Sequence, residues 1–296
     1  MKNLLLASTA LALSAGVAAA DITFSGEARF GGLYDSTDTT DDFNVHTRFR
    51  LNIDATTETD SGLEFFARIR IQSETDDKSG THSNGISAPR VGMRYNGVEV
   101  AVGNILGAIE EMPGLYDGEV GLTALGDMSV VAMTSVNDFD WDDFSSTGGG
   151  SNGAEVIYSN GAFRGHLSHS ETSGRTALNV AYTTDTWFVA AGYQDGGLTS
   201  EDKTLVTGGF TFADNYKIGI GYGDNDGVDK WRLSGDARVG SGTVVTAFVA
   251  EEDIASSKTM WGLGFVHDLG GAELVGGVVG DEDGENQADL GVRFSF

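Results

Sequence analysis

The chain has 296 residues, with 18 Lys and Arg against 44 Asp and Glu, which gives a formal net charge of −26. A polyphosphate partner needs a basic patch, so this charge argues against nucleic-acid binding. Cysteine is absent, which excludes a disulfide framework, and no stretch after Val17 approaches the roughly twenty apolar residues of a membrane helix.

Residues 1–20 have the features of a secretory signal peptide. Met1–Asn3 is short and basic, Leu4–Val17 is apolar but too short to span a bilayer, and Ala18–Ala20 supplies the small residues of a cleavage site. We therefore predict export, with cleavage after Ala20 and one mature domain over residues 21–296. The alternative, a buried N-terminal helix, is disfavoured by these flanks.

The predicted mature chain opens with three long segments, Asp21–Asp35, Phe43–Ala55 and Leu63–Ser73, in which apolar and polar residues alternate. A period of two predicts strands with one apolar and one polar face. Strands of soluble proteins average about five or six residues, whereas a tilted membrane strand needs about nine to eleven. These segments are of the longer kind, which favours a membrane barrel over a secreted acidic all-β protein.

Further alternating segments continue the pattern to the end of the chain. They are Pro89–Tyr95, Val98–Gly103, Ala154–Tyr158, Ala162–Ser170, Thr176–Tyr182, Trp187–Gln194, Lys203–Phe212, Tyr216–Gly223, Lys230–Val239, Thr243–Glu251, Lys258–His267, Ala272–Gly280 and Gln287–Phe296. Tight turns such as Asn96-Gly97 alternate with longer polar connections such as Asp224–Asp229. Short turns at one rim and long loops at the other are typical of a bacterial outer-membrane barrel.

Both termini of such a barrel lie on the short-turn side, so the number of strands must be even. Leaving the candidate Met128–Thr134 inside a loop gives about sixteen strands, the size that encloses an aqueous channel. The alternative is that Met128–Thr134 is a strand and a weaker segment such as Ala154–Tyr158 is not. The fold class is thus an all-β, transmembrane, antiparallel up-and-down barrel.

Asn104–Gly153 departs from the strand rhythm for about fifty residues, a length at which loops are uncommon and usually functional. We predict that this third long loop folds into the barrel and narrows it. Aromatic residues near the tight turns suggest a membrane interface, with chance cross-strand pairs as the alternative. These aromatic residues are Tyr95, Tyr158, Phe163, Tyr182, Trp187, Phe212 and Tyr216.

If the apolar faces point to lipid, the polar faces line the channel, and basic residues then gather on one wall. They are His46, Arg48, Arg50, Arg68, Arg70, Arg90 and Arg94. The long loop carries the acidic residues Glu110, Glu111, Asp117 and Glu119. We expect these two sets to face each other across a constriction, while the alternative for the arginines is a solvated surface facing nothing in particular.

Several stretches resemble the general porins of Gram-negative bacteria, in particular the alphaproteobacterial type. They are the start Asp21–Phe30, the arginine-bearing second and third strands, Val102–Asn104 leading into Met112–Tyr116, and the ending Asp289–Phe296. The resemblance implies a sixteen-stranded barrel, an inward-folded third loop, a homotrimer, and an outer-membrane location in contact with lipid and lipopolysaccharide. It also implies that Phe294 and Phe296 belong to the strand that closes and inserts the barrel.

The expected function is passive diffusion of small hydrophilic solutes and ions, with mild cation preference; a substrate-specific channel is the alternative. An enzyme is disfavoured, because neither HExxH nor GxSxG occurs, and His166 and His169 should lie on opposite faces of a strand. Asp224–Gly227 and Asp281–Gly284 resemble calcium loops without completing a known pattern. We therefore predict no cofactor, beyond a possible weakly bound Ca²⁺.

Overall fold

The computed structural model describes residues 20–36, 42–75, 84–136, 140–197, 202–213 and 215–296. The predicted signal segment, apart from Ala20, lies outside the described residues. The strands are β1 Asp21–Asp35, β2 Phe43–Glu58, β3 Glu64–Thr75, β4 Gly85–Ile86, β5 Arg90–Tyr95, β6 Val98–Asn104, β7 Asn152–Asn160, β8 Phe163–Ser170, β9 Thr176–Thr183, β10 Trp187–Asp195, β11 Lys203–Phe212, β12 Tyr216–Asn225, β13 Val228–Val239, β14 Thr243–Glu252, β15 Met260–Asp268, β16 Glu273–Gly280 and β17 Asn286–Ser295.

Neighbouring strands pair antiparallel in chain order, and β1 also pairs with β17, which closes the sheet into a barrel. Because β4 and β5 both pair with β3, they are two parts of one interrupted strand, and the barrel has sixteen strands. The predicted fold class is thereby confirmed. Met128–Thr134 is not a strand: a short 3₁₀ helix, Leu125–Ser129, and turns occupy that region.

The alternation predicted from the sequence separates an apolar outer face from a polar inner face. Large outer side chains are exposed, as for Phe24 at 63% and Val45 at 66%, whereas inner polar residues such as Asn179 and Gln194 are fully buried. His166 is buried and His169 is exposed, so they do lie on opposite faces. The outer face therefore offers hydrocarbon a continuous apolar surface.

Aromatic side chains are concentrated on the outer face near both rims. At the tight turns, Tyr182 stacks on Trp187 with ring centroids 5.4 Å apart, and Phe212 stacks on Tyr216 at the same separation. Aromatic residues at the opposite strand ends were not singled out from the sequence; they are Tyr34, Phe43, Tyr193, Tyr222, Trp231 and Trp261. Two such bands are typical of the two interfaces of a membrane barrel.

The last residue of the chain lies at the junction of β1 and β17. Phe296 exchanges two backbone hydrogen bonds with Gly26, at 2.8 and 3.0 Å, and its ring stacks on Phe49 at 5.5 Å. A Cβ on Gly26 would lie 2.6 Å from that ring, so glycine makes room for it. The terminal aromatic side chain thus covers the junction on the outer face.

Residues 105–151, here called the long loop, leave the sheet after β6 and return to it at β7. Their apolar side chains lie against the inner face of β8–β17, and the main apolar core of the protein is between this loop and the wall. Phe248 on β14 belongs to that core. This explains why β14 carries apolar residues on both faces.

Candidate pore constriction

Buried carboxylates hold the long loop against the inner face. Near its start, Glu155 on β7 accepts hydrogen bonds from the backbone nitrogen of Leu106 at 3.1 and 3.2 Å. Near its middle, Oδ2 of Asp289 on β17 accepts from the backbone nitrogens of Leu122 and Thr123, both at 2.7 Å. Hydrogen bonds to a charged acceptor are stronger than neutral ones, so these two carboxylates are effective anchors.

Two further side chains anchor the remainder of the loop. Arg232 on β13 is 1% exposed, and it donates to the carbonyl oxygens of Gly114 and Leu115, both at 2.7 Å. Glu252 on β14 accepts from the backbone nitrogen of Ser135 at 2.9 Å. The loop has little regular secondary structure, and these contacts with four strands, β7, β13, β14 and β17, fix its path instead.

Glycines on the inner wall leave room for the loop. A Cβ on Gly277 of β16 would lie 2.7 Å from the backbone nitrogen of Gly121, and one on Gly223 of β12 would lie 2.2 Å from the carbonyl oxygen of Val131. Both separations are shorter than atoms tolerate, so any larger residue would displace the loop backbone. The loop side chains packed on this wall include Ile109, Met112, Leu115, Val120, Val130 and Val131.

The opposite side of the long loop is acidic. Four carboxylates, here called the acidic face, belong to it: Glu110, Glu119, Asp127 and Asp143. Glu119, Asp127 and Asp143 are exposed, whereas Glu110 is half-buried and accepts from Tyr116 and from Nε1 of Trp141, the latter at 2.6 Å. Glu119, Asp127 and Asp143 have no hydrogen-bonded basic partner among the described residues, so their charge is available to ions.

The enclosing barrel shifts the titration of these carboxyl groups. Partial removal of bulk water raises the pKa of Asp127 to about 7; Glu119 and Glu110 act in the same direction, and Arg29 opposes them. Partial desolvation inside the barrel likewise raises the pKa of Glu119, against the opposing charges of Arg293 and Arg29. The charge of Asp127 therefore changes near neutral pH.

The other two loop acids of the predicted set are ion-paired with the wall. Glu111 lies 3.3 Å from Arg164 on β8, and Asp117 lies 2.5 Å from Nζ of Lys217 on β12. Of the four predicted loop acids, Glu110 and Glu119 are thus the two found on the acidic face. The other two members of the acidic face, Asp127 and Asp143, were not predicted.

The predicted basic residues of β2 and β3 lie on the inner face outside the strands that anchor the loop, although Arg70 also donates to Ser146 of the loop at 3.0 Å. We call His46, Arg48, Arg50, Arg68 and Arg70 the arginine wall. Arg48 pairs with Glu27 at 2.6 Å, and Arg68 pairs with Asp54 at 2.6 Å, so acids of the barrel itself compensate these two. His46 is buried and accepts a 2.7 Å hydrogen bond from Arg29.

Arg50 and Arg70 differ from the other members of the arginine wall. Nε of Arg50 donates to Gln72 at 2.7 Å, and Nε of Arg70 donates to Asn52 at 2.8 Å. These two acceptors are neutral amides, and neither guanidinium group forms an ion pair with a described residue. Arg70 also lies 4.8 Å above the ring of Phe144, within the returning part of the long loop.

The last two predicted basic residues are separated from this group. Arg90 is buried and pairs with Glu155 at 2.6 Å and also with Glu99. Arg94 lies next to the tight turn after β5, where it pairs with Glu64 at 2.9 Å and with Glu99 at 2.5 Å. Arg90 thus helps to hold Glu155, an anchor of the loop, whereas Arg94 belongs to the short-turn rim.

The calcium-like stretches Asp224–Gly227 and Asp281–Gly284 use their carboxylates within their own turns. Asp224 accepts from the backbone of Gly227 at 2.8 Å, and Asp281 accepts from those of Asp283 and Glu285, so these carboxylates close their own turns. Within the described ranges, no group of three or more His, Asp or Glu side chains is arranged to hold a metal ion. No helix of the described chain is long and apolar enough to cross a membrane.

Sequence reasoning missed several residues of this region. Arg29 donates to Leu122, His46 and Glu74 and so joins β1 to the loop and to the arginine wall. Arg29 has the inward parity on β1, and this position in the sequence could have predicted that it lies inside the barrel. Asp289 was recognised only as part of the final strand, although a lone carboxylate on the inner parity of that strand indicated a polar partner inside the barrel.

A closed antiparallel barrel with an apolar outer face, aromatic rims and a charged inner face is a transmembrane barrel of the channel-forming class. Residues 7–287 match the family described as Gram-negative porin. The chain belongs to this family, and membership implies an outer-membrane location.

Individual relatives agree with this assignment. The porin of Fuscovulum blasticum is 30% identical, over 93% of this chain and all of the relative. The porin of Rhodobacter capsulatus is 29% identical with the same coverage. A triple mutant of the Rhodopseudomonas blastica porin has a similar structure, with a TM-score of 0.82, 28% identity, and coverage of 93% of this chain and 100% of the other. The suspected resemblance to alphaproteobacterial porins is confirmed.

Proposed function

We propose that the chain forms a water-filled channel for passive diffusion of small hydrophilic solutes and ions, constricted by the long loop and mildly selective for cations. The observation that carries this proposal is the fixed position of the loop. Its anchors hold it on β8–β17, and among the described residues Arg48 and Arg50 of the arginine wall make no hydrogen bond or ion pair with it. Solutes pass between the acidic face and the arginine wall.

The charges across this passage bias permeation without selecting one solute. Two unit charges about 8 Å apart in a water-like dielectric interact by about 0.5 kcal/mol, which changes an ion's local population about twofold. Arg48 and Arg68 are compensated by Glu27 and Asp54, so fewer arginine charges act on ions than the sequence contains. The unpaired acids of the loop then give cations the advantage.

A substrate-specific sugar channel would need accessible aromatic rings along the passage. Two inward aromatic residues of the strands, Phe66 and Phe188, are covered. Phe66 is 6% exposed and lies beneath Arg94 at 4.1 Å. The ring of Phe188 lies against Gly114 of the loop, since a Cβ there would come within 2.5 Å of it. This packing favours the general channel.

The outer surface of the barrel indicates the membrane environment in which the protein lies. The two aromatic bands and the apolar belt between them suit lipid and lipopolysaccharide at the two interfaces. We further propose export through the signal peptide at residues 1–20 and assembly as a homotrimer. Chemical cross-linking of the purified protein, followed by mass measurement, tests the trimer: a monomer at every cross-linker concentration contradicts it.

The function is tested in planar bilayers and in liposomes. Single-channel conductance in KCl should be stable, and the reversal potential in a KCl gradient should indicate a several-fold preference for K⁺ over Cl⁻. Liposome swelling should be rapid with small sugars and slow with larger ones, whatever the stereochemistry of the sugar. A chain that inserts but conducts no ions refutes the proposal, and swelling with one sugar alone supports the substrate-specific alternative.

A further inference from the structure

An ion-pair network runs along the inner face from the short-turn rim to the start of the long loop. Its first five members, each paired with the next, are Glu64, Arg94, Glu99, Arg90 and Glu155. His166 of β8 is the last member, because its Nε2 lies 2.9 Å from Glu155 and both side chains are completely buried. The first five members are three carboxylates and two guanidinium groups, so the charges of the network cancel only when the imidazole carries an extra proton.

The second nitrogen of this imidazole has a polar neighbour on the next strand. His166 is directly opposite Asn179 of β9, where the Cβ atoms of an antiparallel pair are about 5 Å apart. Nδ1 of His166 and Oδ1 of Asn179 are both buried, and neither makes a hydrogen bond with a described residue. Two buried polar atoms on neighbouring inward side chains are therefore without partners.

Other contacts fix the orientation of both side chains. Nδ2 of Asn179 donates to the carbonyl oxygen of Ala108, so the amide cannot turn to present its nitrogen to His166. The carboxylate of Glu155 only accepts hydrogen bonds, so Nε2 of His166 carries the hydrogen. In a neutral imidazole, Nδ1 is then a bare acceptor opposite a second bare acceptor, whereas in the imidazolium form Nδ1–H is the missing donor.

The partners of His166 also hold the beginning of the long loop. Glu155 accepts from the backbone nitrogen of Leu106 at 3.1 and 3.2 Å. Ala108 is held at both of its backbone groups, since its nitrogen donates to Ser168 at 2.9 Å and its carbonyl oxygen accepts from Asn179. The positions of Glu155 and Asn179 therefore determine where the loop leaves the wall.

The remaining surroundings of His166 add no uncompensated charge. Arg164, two residues away on the same face of β8, lies 3.3 Å from Glu111 of the loop. Ile157, directly opposite on β7, is apolar. The charge that decides the state of His166 is thus that of Glu155 and of the network behind it.

We propose that His166 is a positioning residue of the constriction: as an imidazolium it bridges Glu155 and Asn179 and holds the start of the long loop, and it loosens this hold as the pH rises. When the imidazole loses its proton, Glu155 loses one of its two cationic partners and Asn179 faces a bare acceptor. The difference between a hydrogen bond to a charged group and one to a neutral group corresponds to about a fivefold change in how often the loop start detaches. The effect on current rests on the proposed channel, whereas the charge of His166 does not.

NMR of the detergent-solubilised full chain measures that charge directly. The resonance of His166 is the imidazole signal that His166→Gln removes, and replacing the other four histidines one at a time assigns it by elimination. It should have the imidazolium shift at pH 7 and should titrate at higher pH than that of the exposed His169. Asn179→Ala, which removes the acceptor opposite Nδ1, should lower the proton affinity of His166 about fivefold. A neutral His166 at pH 7, or an unchanged proton affinity in Asn179→Ala, overturns the proposal.

Single-channel current noise in KCl tests the hold on the loop. All channels compared carry Asp127→Asn, so that Asp127 does not contribute to the pH dependence. Noise should rise with pH through the titration of His166. In His166→Gln, which keeps a donor for Glu155 but no charge, noise should be raised already at pH 6 and should not depend on pH.

The matched control is His169→Gln, the same substitution on the outer face of the same strand. Nδ1 of His169 lies 2.9 Å from the hydroxyl of Thr176 and does not contact the loop. This variant should keep the pH dependence of the parent channel. Equal pH dependence of the noise in His166→Gln and His169→Gln overturns the positioning role.

The two measurements separate this proposal from the proposed function. A conducting channel in which His166 is neutral at pH 7 refutes the positioning role alone. A protein in which His166 is an imidazolium at pH 7 but which conducts no ions refutes the channel and supports the charge assigned to His166.

Discussion

Replacing Asp289 should release the middle of the long loop while leaving the barrel closed. Its Oδ2 accepts from the backbone nitrogens of Leu122 and Thr123 at 2.7 Å and from the hydroxyl of Thr123 at 2.8 Å. Gly121, with φ +87°, allows this approach, because a Cβ there would lie 2.8 Å from both carboxylate oxygens. Hydrogen bonds to a charged group contribute about 1.5–3 kcal/mol each, against about 0.5–1.5 kcal/mol for neutral ones.

Asp289→Asn keeps the shape and one acceptor oxygen but removes the charge. Three bonds weakened by about 1 kcal/mol each make local detachment of the loop about a hundredfold more frequent. In planar bilayers, the variant should show larger current fluctuations and a higher mean single-channel conductance than the unmodified chain. Asp289→Ala, which leaves buried N–H groups without their acceptor, should have the stronger effect.

Gln287→Ala is the control for this comparison. Gln287 is two residues away on the same face of β17, and its amide donates to Asp35 at 3.1 Å rather than to the loop. Its conductance and current noise should match those of the unmodified chain. If Asp289→Asn, folded and inserted, gives the same noise and conductance as Gln287→Ala, these hydrogen bonds do not control the loop and the reasoning is refuted.

Three other perturbations address the charges and the packing of the passage. Replacing Arg48 and Arg50 together by Gln should strengthen cation preference and shift the reversal potential in a KCl gradient accordingly. Because the pKa of Asp127 is raised to about 7, its carboxylate is mostly charged at pH 8 and mostly neutral at pH 6. Cation preference should therefore fall as the pH is lowered from 8 to 6, and Asp127→Asn should make it less dependent on pH. Gly277→Ala would place a Cβ 2.7 Å from the loop backbone and should raise current noise, whereas Gly208→Ala on the outer face, with its nearest contact at 3.5 Å, should not.

Each of these expectations has an outcome that contradicts it. An unchanged reversal potential in the double variant means that Arg48 and Arg50 do not border the ion path. A pH dependence that survives in Asp127→Asn assigns the titration to another group, such as Glu119. Equal noise in the two glycine variants means that the loop tolerates displacement at β16.

The strands could be predicted because the apolar–polar alternation and the turn residues both agreed with a closed barrel. The alternation from Phe43 to Ala55 predicted which residues face lipid, and the burial of β2 alternates accordingly from Phe43 to Arg50. The tight turn was equally readable, since Asn96 and Gly97 both have positive φ, at 48° and 81°, as the favoured two-residue hairpin requires. Parity also placed Arg48, Arg50, Arg68 and Arg70 on the inner face.

The partners of these arginines were beyond the sequence argument. Parity assigns a face, but an ion pair also depends on register and on the reach of each side chain. Glu27 and Asp54 lie on the same wall as Arg48 and Arg68 and compensate them directly. The expectation that the loop alone would supply the opposing acids therefore overlooked the carboxylates of the barrel.

The long loop was harder still, because a segment without a period gives no rule for which side chains face water. Glu111 and Glu119 look equivalent in sequence, yet Glu111 pairs with Arg164, whereas Glu119 forms no ion pair with a described residue. The distinction is made by the wall, through the position of a basic residue on β8. Loop acids can be sorted only after the path of the loop is known.

The inner wall did carry one unused signal of that path. On β12, glycine occupies three successive inward positions, Gly219, Gly221 and Gly223, between the outward Ile218, Ile220 and Tyr222. Glycine weakens a strand interior, and its repetition on one face indicates a close approach by other atoms of the protein. The loop meets this requirement: a Cβ on Gly219 would come within 2.6 Å of Asp117, and one on Gly221 within 2.8 Å of Val131. A row of inward glycines in a barrel strand therefore predicts where a loop lies against the wall.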